Sequence, residues 1–411
     1  MSNKENKRNI PFSTVQEINR ESKKRPIVLF GGGNIAEKTS RIIANGRIKG
    51  IVDNASNMWG ESQHGIEIFA PNFLQSFEEA KPFVIITTTS FAEVSLQLEQ
   101  MGFTAKVDFF VSPILNDLRI INELETIDKK MWFTCGAATS DSPEYGGGIY
   151  ELQVSGDTWK HKKVFSGICY GLIPFGNNFI SVDEEIGIFE IDREYTIIRS
   201  KELPKGMRAH GIDYSQKHNR FTVVGSYLDG VLVLDNDFNV IDKIVVSRKQ
   251  EQTGKAHHHI NDCCIVGDSI YMSMFSLSGN WKLDVFDGAV LEFDLVSKER
   301  IGPVIQDLWM PHNICFIQGS LHVLNSLPGE LRTNNAGVIG KFPAFTRGIA
   351  HDGVYYFIGQ SRNRNYSKNI GVSLNVSIDA GIIVFDAQTK ASRFLQLPPK
   401  ISEIHAIVLI D

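Results

Sequence analysis

From Met131 to the end of this 411-residue chain, short apolar runs return at intervals of about 35–50 residues, and that rhythm limits the fold more than any other feature. A unit reads as a strand, a turn, a second strand, a loop that often carries Asp-Gly, and a third strand ending in Asp. One copy is His210–Tyr214, Phe221–Gly225 and Val231–Leu234; the next is His259–Ile265, Ser269–Phe275 and Ala289–Phe293. Further copies are Ile168–Pro174 with Phe179–Asp183 and Ile186–Ile191, His312–Ile317 with Leu321–Ser326, and Thr346–Ala350 with Val354–Gly359 and Gly381–Asp386. No long helical period interrupts them, so the pattern predicts an all-β propeller over residues 131–411. The last run, Ile404–Ile410, has no partners after it, while the first unit (Met131–Cys135, Gly148–Leu152) lacks an inner strand. Joining the two closes the ring by giving the C-terminal strand to the first blade. The count is six blades, or seven if the irregular segments 192–208 and 360–380 hold another unit.

Four units open on or beside a histidine: MRAHGIDY from Met207, KAHHHINDCC from Lys255, MPHNICF from Met310 and EIHAIVL from Glu403. Inner strands line a propeller's axis, so His210, His259, His312 and His405 are expected to converge at one mouth of the channel. Arg347 of FTRGIAH takes the corresponding place in a fifth blade, and Cys169 or Tyr170 in the sixth. Imidazoles aimed at one axis are donors for Fe, Zn, Mn or Ni, and Asp213, Asp262 and Glu403 are at hand as outer-shell acceptors. The planar fork of Arg347 suits a carboxylate or phosphate. The expected metal set is therefore His210, His259, His312 and His405, and the expected catalytic set Arg347, Asp262 and Tyr170. The register within His257–His259 is open, because a one-residue slip reverses the strand face. His64, His161, His218 and His322 fall off the pattern and read as surface residues, and His351 as structural. Trp281, in the loop Met272–Trp281, is either a stacking platform for a sugar ring or a packed core aromatic. The adjacent Cys263 and Cys264 read as core.

The first part of the chain has another texture. Residues 1–25 are polar and are expected to dock loosely. Over 26–112 strands alternate with helices: IVLF, then Gly31-Gly32-Gly33-Asn34 and a helical pattern, then Ile48–Val52 ending on Asp53. This predicts a doubly wound parallel sheet of Rossmann-like type, followed by a helical connector over 113–130. The glycine turn and the later acidic residue match a dinucleotide fingerprint, with Gly31, Gly33, Asn34 and Asp53 as the candidate site for a nucleotide or NAD. Equally, the glycines serve only close packing of helix on strand. The hydroxyl-rich turn Thr87–Ser90 reads as an N-cap beside that crevice.

Composition removes some classes. A net charge of −5 argues against nucleic acid as the main partner, and no apolar run reaches the ~18–20 residues of a membrane helix. The N-terminus lacks an apolar core typical of a secretory signal, and five cysteines, an odd number, fit a reducing cytoplasm. The expected partner is a small sugar-like or acidic molecule, and the sequence leaves oligomerisation open.

Two resemblances add to this. The stretches VLFGGGNIAEK, IKGIVDNASNMWG, HGIEIFAPNFL and FVIITTTSFAEVSLQLEQMGF make residues 25–112 resemble a small Rossmann-like domain. That domain accompanies sugar acyltransferases and sugar methyltransferases of bacterial surface-polysaccharide pathways. The stretches HINDCCIVGDSIYMSMFS, MPHNICFIQGSLHVLNSLPGEL and FPAFTRGIAHDGVYYFIGQSRNR make residues 131–411 resemble a bacterial family of hypothetical, histidine-bearing β-propeller proteins. The second resemblance implies the fold and marks His259, Asn261, His312, Asn325, Ser326, Gly329, Glu330, Thr346 and Arg347 as motif positions. The function expected is a metal-dependent enzyme on a sugar, nucleotide-sugar or related acid, of lyase or oxygenase type, in surface-polysaccharide biosynthesis. The alternative is a non-enzymatic glycan- or partner-binding scaffold, and the third reading an NAD-dependent oxidoreductase.

Overall fold

The computed structural model describes residues 10–410, apart from 24, 44–46, 78–79, 363, 365–367, 369–370 and 372–374. It divides into two compact units, Met1–Ile127 and Asp128–Asp411.

The first unit is built on a mixed sheet of six strands. Their order is Ser62–Gln63, Ile66–Phe69, Ile48–Val52, Ile27–Phe30, Phe83–Ile86, Phe109–Val111. Five of them run parallel, and the expectation of a wholly parallel sheet fails at one edge. There His64 (φ 54°) and Gly65 (φ 76°) form a two-residue turn whose paired positive φ values join two antiparallel strands. Between Ile66–Phe69 and Phe83–Ile86 the chain makes only a short 3₁₀ turn, Pro71–Gln75, so one crossover has no full helix. Helices Asn34–Ile42 and Phe91–Gln100 cover the other crossovers. The continuous apolar strands Ile27–Phe30 and Phe83–Ile86 are buried at every residue, as strands covered on both faces must be. The loosely docked segment expected through residue 25 is corrected from Ile10 onward, and residues 1–9 lie outside those described. Phe12 bridges to Val111, and a capping box between Thr14 and Glu17 starts the helix Val15–Ser22. The connector is a 3₁₀ turn, Pro113–Leu115, and a helix, Asp117–Glu125; strand structure resumes at Asp128.

The second unit is a six-bladed β-propeller, each blade a four-stranded antiparallel sheet. Blades two to six run in chain order, with inner strands Cys169–Phe175, Ala209–Ser215, Ile260–Val266, Pro311–Ile317 and Phe345–His351. The first blade is closed by the C-terminal strand Ile407–Ile410, whose Val408 pairs with Trp132 and Leu409 with Met131. Segment 192–208, one source of the seven-blade count, holds the second blade's outermost strand, Ile197–Lys201. Outermost strands are mostly exposed, which removes the apolar signature of the buried second and third strands. Between blades the packing is hydrophobic, as where Ile180, Val182 and Ile188 of one blade meet Phe221, Val223 and Leu232 of the next. Hydroxyls add directional ties: Ser226 Oγ donates to the Ile260 carbonyl and Ser326 Oγ to the Thr346 carbonyl, each 2.6 Å across a blade boundary.

Candidate functional site

Each inner strand of blades two to six carries a β-bulge at the same place. The bulges fall between Cys169 and Leu172, Ala209 and Ile212, Ile260 and Asp262, His312 and Ile314, and Thr346 and Ile349. A bulge re-aims a side chain, and here it sets one residue per blade around the axis. The ring is Tyr170, His210, Asn261, His312, Arg347 and, ahead of the closing strand, His405; all six line one cavity of about 260 Å³. Two residues before five of these six positions a second layer begins. Arg208, His259, Met310, Phe345 and Glu403 line the same chamber. The close approach of adjacent inner strands requires a small residue beside the ring. At Gly211 a Cβ would lie 1.9 Å from Asp262 Oδ1, and at Gly171 it would lie 2.6 Å from the His210 carbonyl oxygen.

The expected equivalence of His259 with His210 and His312 is therefore corrected. Ala209, Ile260 and Pro311 are the matching strand starts, which pairs His210 and His312 with Asn261 and leaves His259 in the outer layer beside Arg208 and Met310. The backbone repeats this layer: Arg208, His259 and Met310 have φ values of 51°, 53° and 53°. Such left-handed, non-glycine residues cluster at functional sites. His257 and His258 face away from the chamber, with His257 Nε2 on Thr253 Oγ1 and His258 between Ser247 Oγ and the Ser276 carbonyl. Asn261 spans to the next blade, donating to the Pro311 carbonyl at 3.1 Å.

The chamber's electrostatics follow from burial. His210, His259, His312 and His405 are each less than a tenth exposed. Burial, reinforced by nearby arginines, pushes His259 down to about 3 and His405 down to about 4. Burial also holds His210 and His312 well below the usual imidazole range. All four are neutral near pH 7. Burial alone would push Glu403 up, but the hydrogen bond from His405 and the charges of Arg347 and Arg364 outweigh it and hold the carboxylate ionised. Its Oε2 accepts from Arg347 Nη1 at 3.0 Å and from His405 Nε2 at 2.9 Å, and its Oε1 takes Arg364 at 2.8 Å. Because Nε2 of His405 faces a carboxylate it carries the proton, which leaves Nδ1 as the lone pair. His312 is the reverse: Nδ1 donates to the Met310 carbonyl at 2.9 Å, so Nε2 is free to accept. Tyr170 packs its ring on His210 (4.1 Å) and His405 (4.7 Å), donates to Glu184 at 2.9 Å, and is pushed up to about 12 by burial.

Five chamber residues hold a buried polar side-chain atom with no hydrogen-bond partner among the described residues. These atoms are Arg208 Nε, His210 Nε2, His259 Nδ1, Asn261 Oδ1 and Arg347 Nε. Among the described residues, the charged members of the lining are Arg208, Arg347 and Arg364 against the one carboxylate of Glu403. Unpartnered buried polar atoms are costly, and they gather where a ligand can satisfy them.

The other expected site residues divide. Asp262 does not face this chamber. It lines a second cavity of about 350 Å³ on the other side of the ring, and its Oδ2 accepts the Ile314 N–H of the next blade at 3.0 Å. Asp213 likewise accepts the Ile265 N–H at 2.6 Å, so of the three proposed acceptors only Glu403 meets a histidine. Among the described residues no group of three or more His, Cys, Asp or Glu is placed to hold a metal ion. The expected four-histidine metal set is therefore not assembled, and His405 is instead tied to Glu403. Trp281 is half-buried against the His259 ring at 4.5 Å and is no open platform. His322, expected at the surface, is buried and bonds Tyr356 Oη at 3.0 Å. All five cysteines are free thiols, and Cys263 and Cys264 are buried. Arg208 and Arg364 were missed; the pair Arg208-x-His210, matching His259-x-Asn261, was the available sign.

In the first unit Gly31 sits at φ 112° with Thr88 packed against it, Gly33 caps the helix that opens at Asn34, and Thr87 Oγ1 bonds the Phe30 and Gly31 carbonyls. Asp53, expected to hold a ribose, already accepts the N–H of Gly32 at 2.7 Å and of Ala55 at 2.8 Å. Ser90 caps without its side chain. Among the described residues no helix is long and apolar enough to cross a membrane.

Burial pushes Asp262 up to about 7 and Asp213 up to about 6 despite their backbone partners. Both values lie above the ordinary aspartate value, so their contribution to stability is whole below about pH 4 and is lost as pH rises through about 7. Asp262→Asn is expected to flatten the fall in unfolding free energy between about pH 5 and about pH 8, and to be more stable than the parent at the upper end. Denaturant unfolding at the two values checks it, and an unchanged slope contradicts it.

A family model described as a domain of unknown function, DUF4915, matches residues 157–411. No curated protein matches the chain. Among solved structures, a nidogen/laminin complex is similar at 14% identity, covering 69% of this chain and 98% of that one with a TM-score of 0.47. A putative gluconolactonase is similar at 15% identity, covering 56% of this chain and 78% of that one with a TM-score of 0.41. The calcium-binding protein regucalcin from Agrobacterium tumefaciens is similar at 10% identity, covering 57% of this chain and 79% of that one with a TM-score of 0.40.

Proposed function

The chain belongs to the DUF4915 family, and we propose that its axial chamber binds an acidic, sugar-like small molecule and acts on it by proton transfer. The observation that carries this reading is the set of unpartnered buried polar atoms in a lining with three arginines and one carboxylate. Arg347, assisted by Arg208, takes the ligand's carboxylate. The base for a proton beside that carboxylate is His312 Nε2, the ring nitrogen left as acceptor because Nδ1 is held by the Met310 carbonyl. The proton goes to Nε2, the electron pair spreads into the carboxylate against Arg347, and reprotonation from solvent restores the carbon. Glu403 is a positioning residue, fixing the tautomer of His405 and the fork of Arg347. The acidic-sugar assignment joins the chamber's charge to the polysaccharide-pathway resemblance of residues 25–112.

A divalent Fe, Zn or Mn ion on His210, His259 and His312 is not the reading the chamber favours, because among the described residues no group of three or more His, Cys, Asp or Glu is placed to hold a metal ion. Stoichiometric metal in purified protein, lost in His210→Ala/His312→Ala, would overturn that. Asp53 of the first unit accepts one backbone N–H on each carboxylate oxygen, from Gly32 and from Ala55.

The test is deuterium exchange at the carbon beside the carboxylate of D-glucuronate, followed by NMR in D₂O with binding measured by calorimetry. Glucuronate is expected to bind and exchange while glucose does not bind. His312→Gln is expected to slow exchange about a hundredfold and leave affinity within about threefold. Binding without exchange supports the scaffold reading instead, and absence of binding removes the acidic-ligand reading.

A further inference from the structure

The chamber alone, at about 260 Å³, lies below the usual range for ligand pockets. It does not end at its rim. A groove of about 870 Å³ runs from it over the mouth of the second and third blades, and the two share Gly136, Tyr170 and Arg208 in their linings. Gly136 keeps the junction open: a Cβ there would meet the Tyr170 ring at 2.6 Å and His405 Nε2 at 2.8 Å.

The groove differs in chemistry from the chamber. Along it stand the exposed carboxylates Glu184, Glu185 and Glu202 with the buried Asp183, against the cations Lys205 and Arg208, and the ring of Tyr227, 41% exposed; carboxylates outnumber cations four to two. Tyr227 is held rather than loose: Arg208 Nη1 donates to its hydroxyl at 3.2 Å and the guanidinium lies 5.6 Å from its ring centroid. Glu184 accepts the Tyr170 hydroxyl, so one residue chain runs from the ring at the axis to the groove wall. Carboxylates accept pairs of hydroxyl hydrogen bonds, and an exposed aromatic face covers the C–H face of a pyranose ring. A second anion is disfavoured there by like charge, whereas a neutral, hydroxyl-rich ring is suited on both counts.

We infer that the ligand is the acidic end of a longer glycoside: the carboxylate-bearing sugar enters the chamber, and the adjoining neutral sugar lies in the groove against Tyr227. This inference rests on the acidic-ligand reading of the chamber. The experiment compares, by calorimetry, D-glucuronate, a disaccharide of glucuronate linked to a neutral hexose, and the neutral disaccharide cellobiose. It uses the full-length protein and its Tyr227→Ala variant, with thermal unfolding checking that the variant folds.

The disaccharide acid is expected to bind at least about tenfold more tightly than glucuronate, and Tyr227→Ala to remove most of that advantage while leaving glucuronate unchanged. Equal affinities for the two acids, or a Tyr227→Ala variant that keeps the difference, overturn the inference and leave the chamber reading standing. If neither acid binds, the chamber reading fails and this inference with it. If cellobiose binds as well as the disaccharide acid, the acid-first orientation is overturned.

Discussion

Arg347→Met is expected to abolish binding of acidic ligands and to lower unfolding free energy by about 3 kcal/mol, the scale for removing one partner of a buried ion pair. The Arg347 side chain is 11% exposed and that of Glu403 6%, and Arg347 Nη1 lies 3.0 Å from the carboxylate. Without the guanidinium, Glu403 keeps a hydrogen bond from His405 and a pair with Arg364, whose side chain is 65% exposed and correspondingly screened. A carboxylate then stays buried with most of its compensation gone. The discriminating variant is the double substitution Arg347→Met/Glu403→Gln. It is expected to recover most of the lost stability, since no uncompensated charge remains, and to recover none of the binding. Denaturant unfolding and calorimetry with glucuronate read the two effects separately. If the double variant binds like the parent, Arg347 is a structural residue and the anion site lies elsewhere.

Ending the chain after Lys400 is expected to abolish cooperative unfolding. The loss takes away the strand that closes the ring, and with it Ile401 and Ile404, both fully buried, as well as Glu403 and His405. Strand Asp128–Cys135 would be left with a bare edge where Lys130–Phe133 now pair with Ile407–Ile410. An unpaired apolar edge is an aggregation template. The expected result is a chain that elutes as aggregate and shows no sharp thermal transition by circular dichroism, with partial recovery when a peptide of residues 401–411 is present during refolding. A sharp transition within a few degrees of the full-length protein would show that the other five blades hold the ring without closure.

The second and third strands of the blades were legible because burial writes itself into sequence. Phe221–Gly225 and Val231–Leu234 are continuous apolar runs, and each is buried throughout. The fourth strand of each blade was not legible: Ile197–Lys201 is almost wholly exposed, and its sequence carries no period that burial would enforce. The same logic explains the helix Val15–Ser22, which buries only Ile18 and Ser22 and so reads as polar chain, its one sign being the Thr14/Glu17 capping box. His64 fell off every pattern because its role is a turn with positive φ, which residue periodicity does not show.

For the site, the residues themselves settled that histidines and an arginine recur where inner strands begin, and hence that one mouth of the channel carries imidazoles and a guanidinium. Which member of each strand reaches the axis depended on the bulges, since one inserted residue moves every later side chain to the other face. That is why Asn261 stands in the ring where three consecutive histidines had suggested His259, and why Asp262 turned to the opposite cavity. Glu403 and His405 are neighbours in sequence, but the lining's three arginines and one carboxylate come from residues up to 195 positions apart; only closure of the propeller brings Arg208 and Glu403 into one lining.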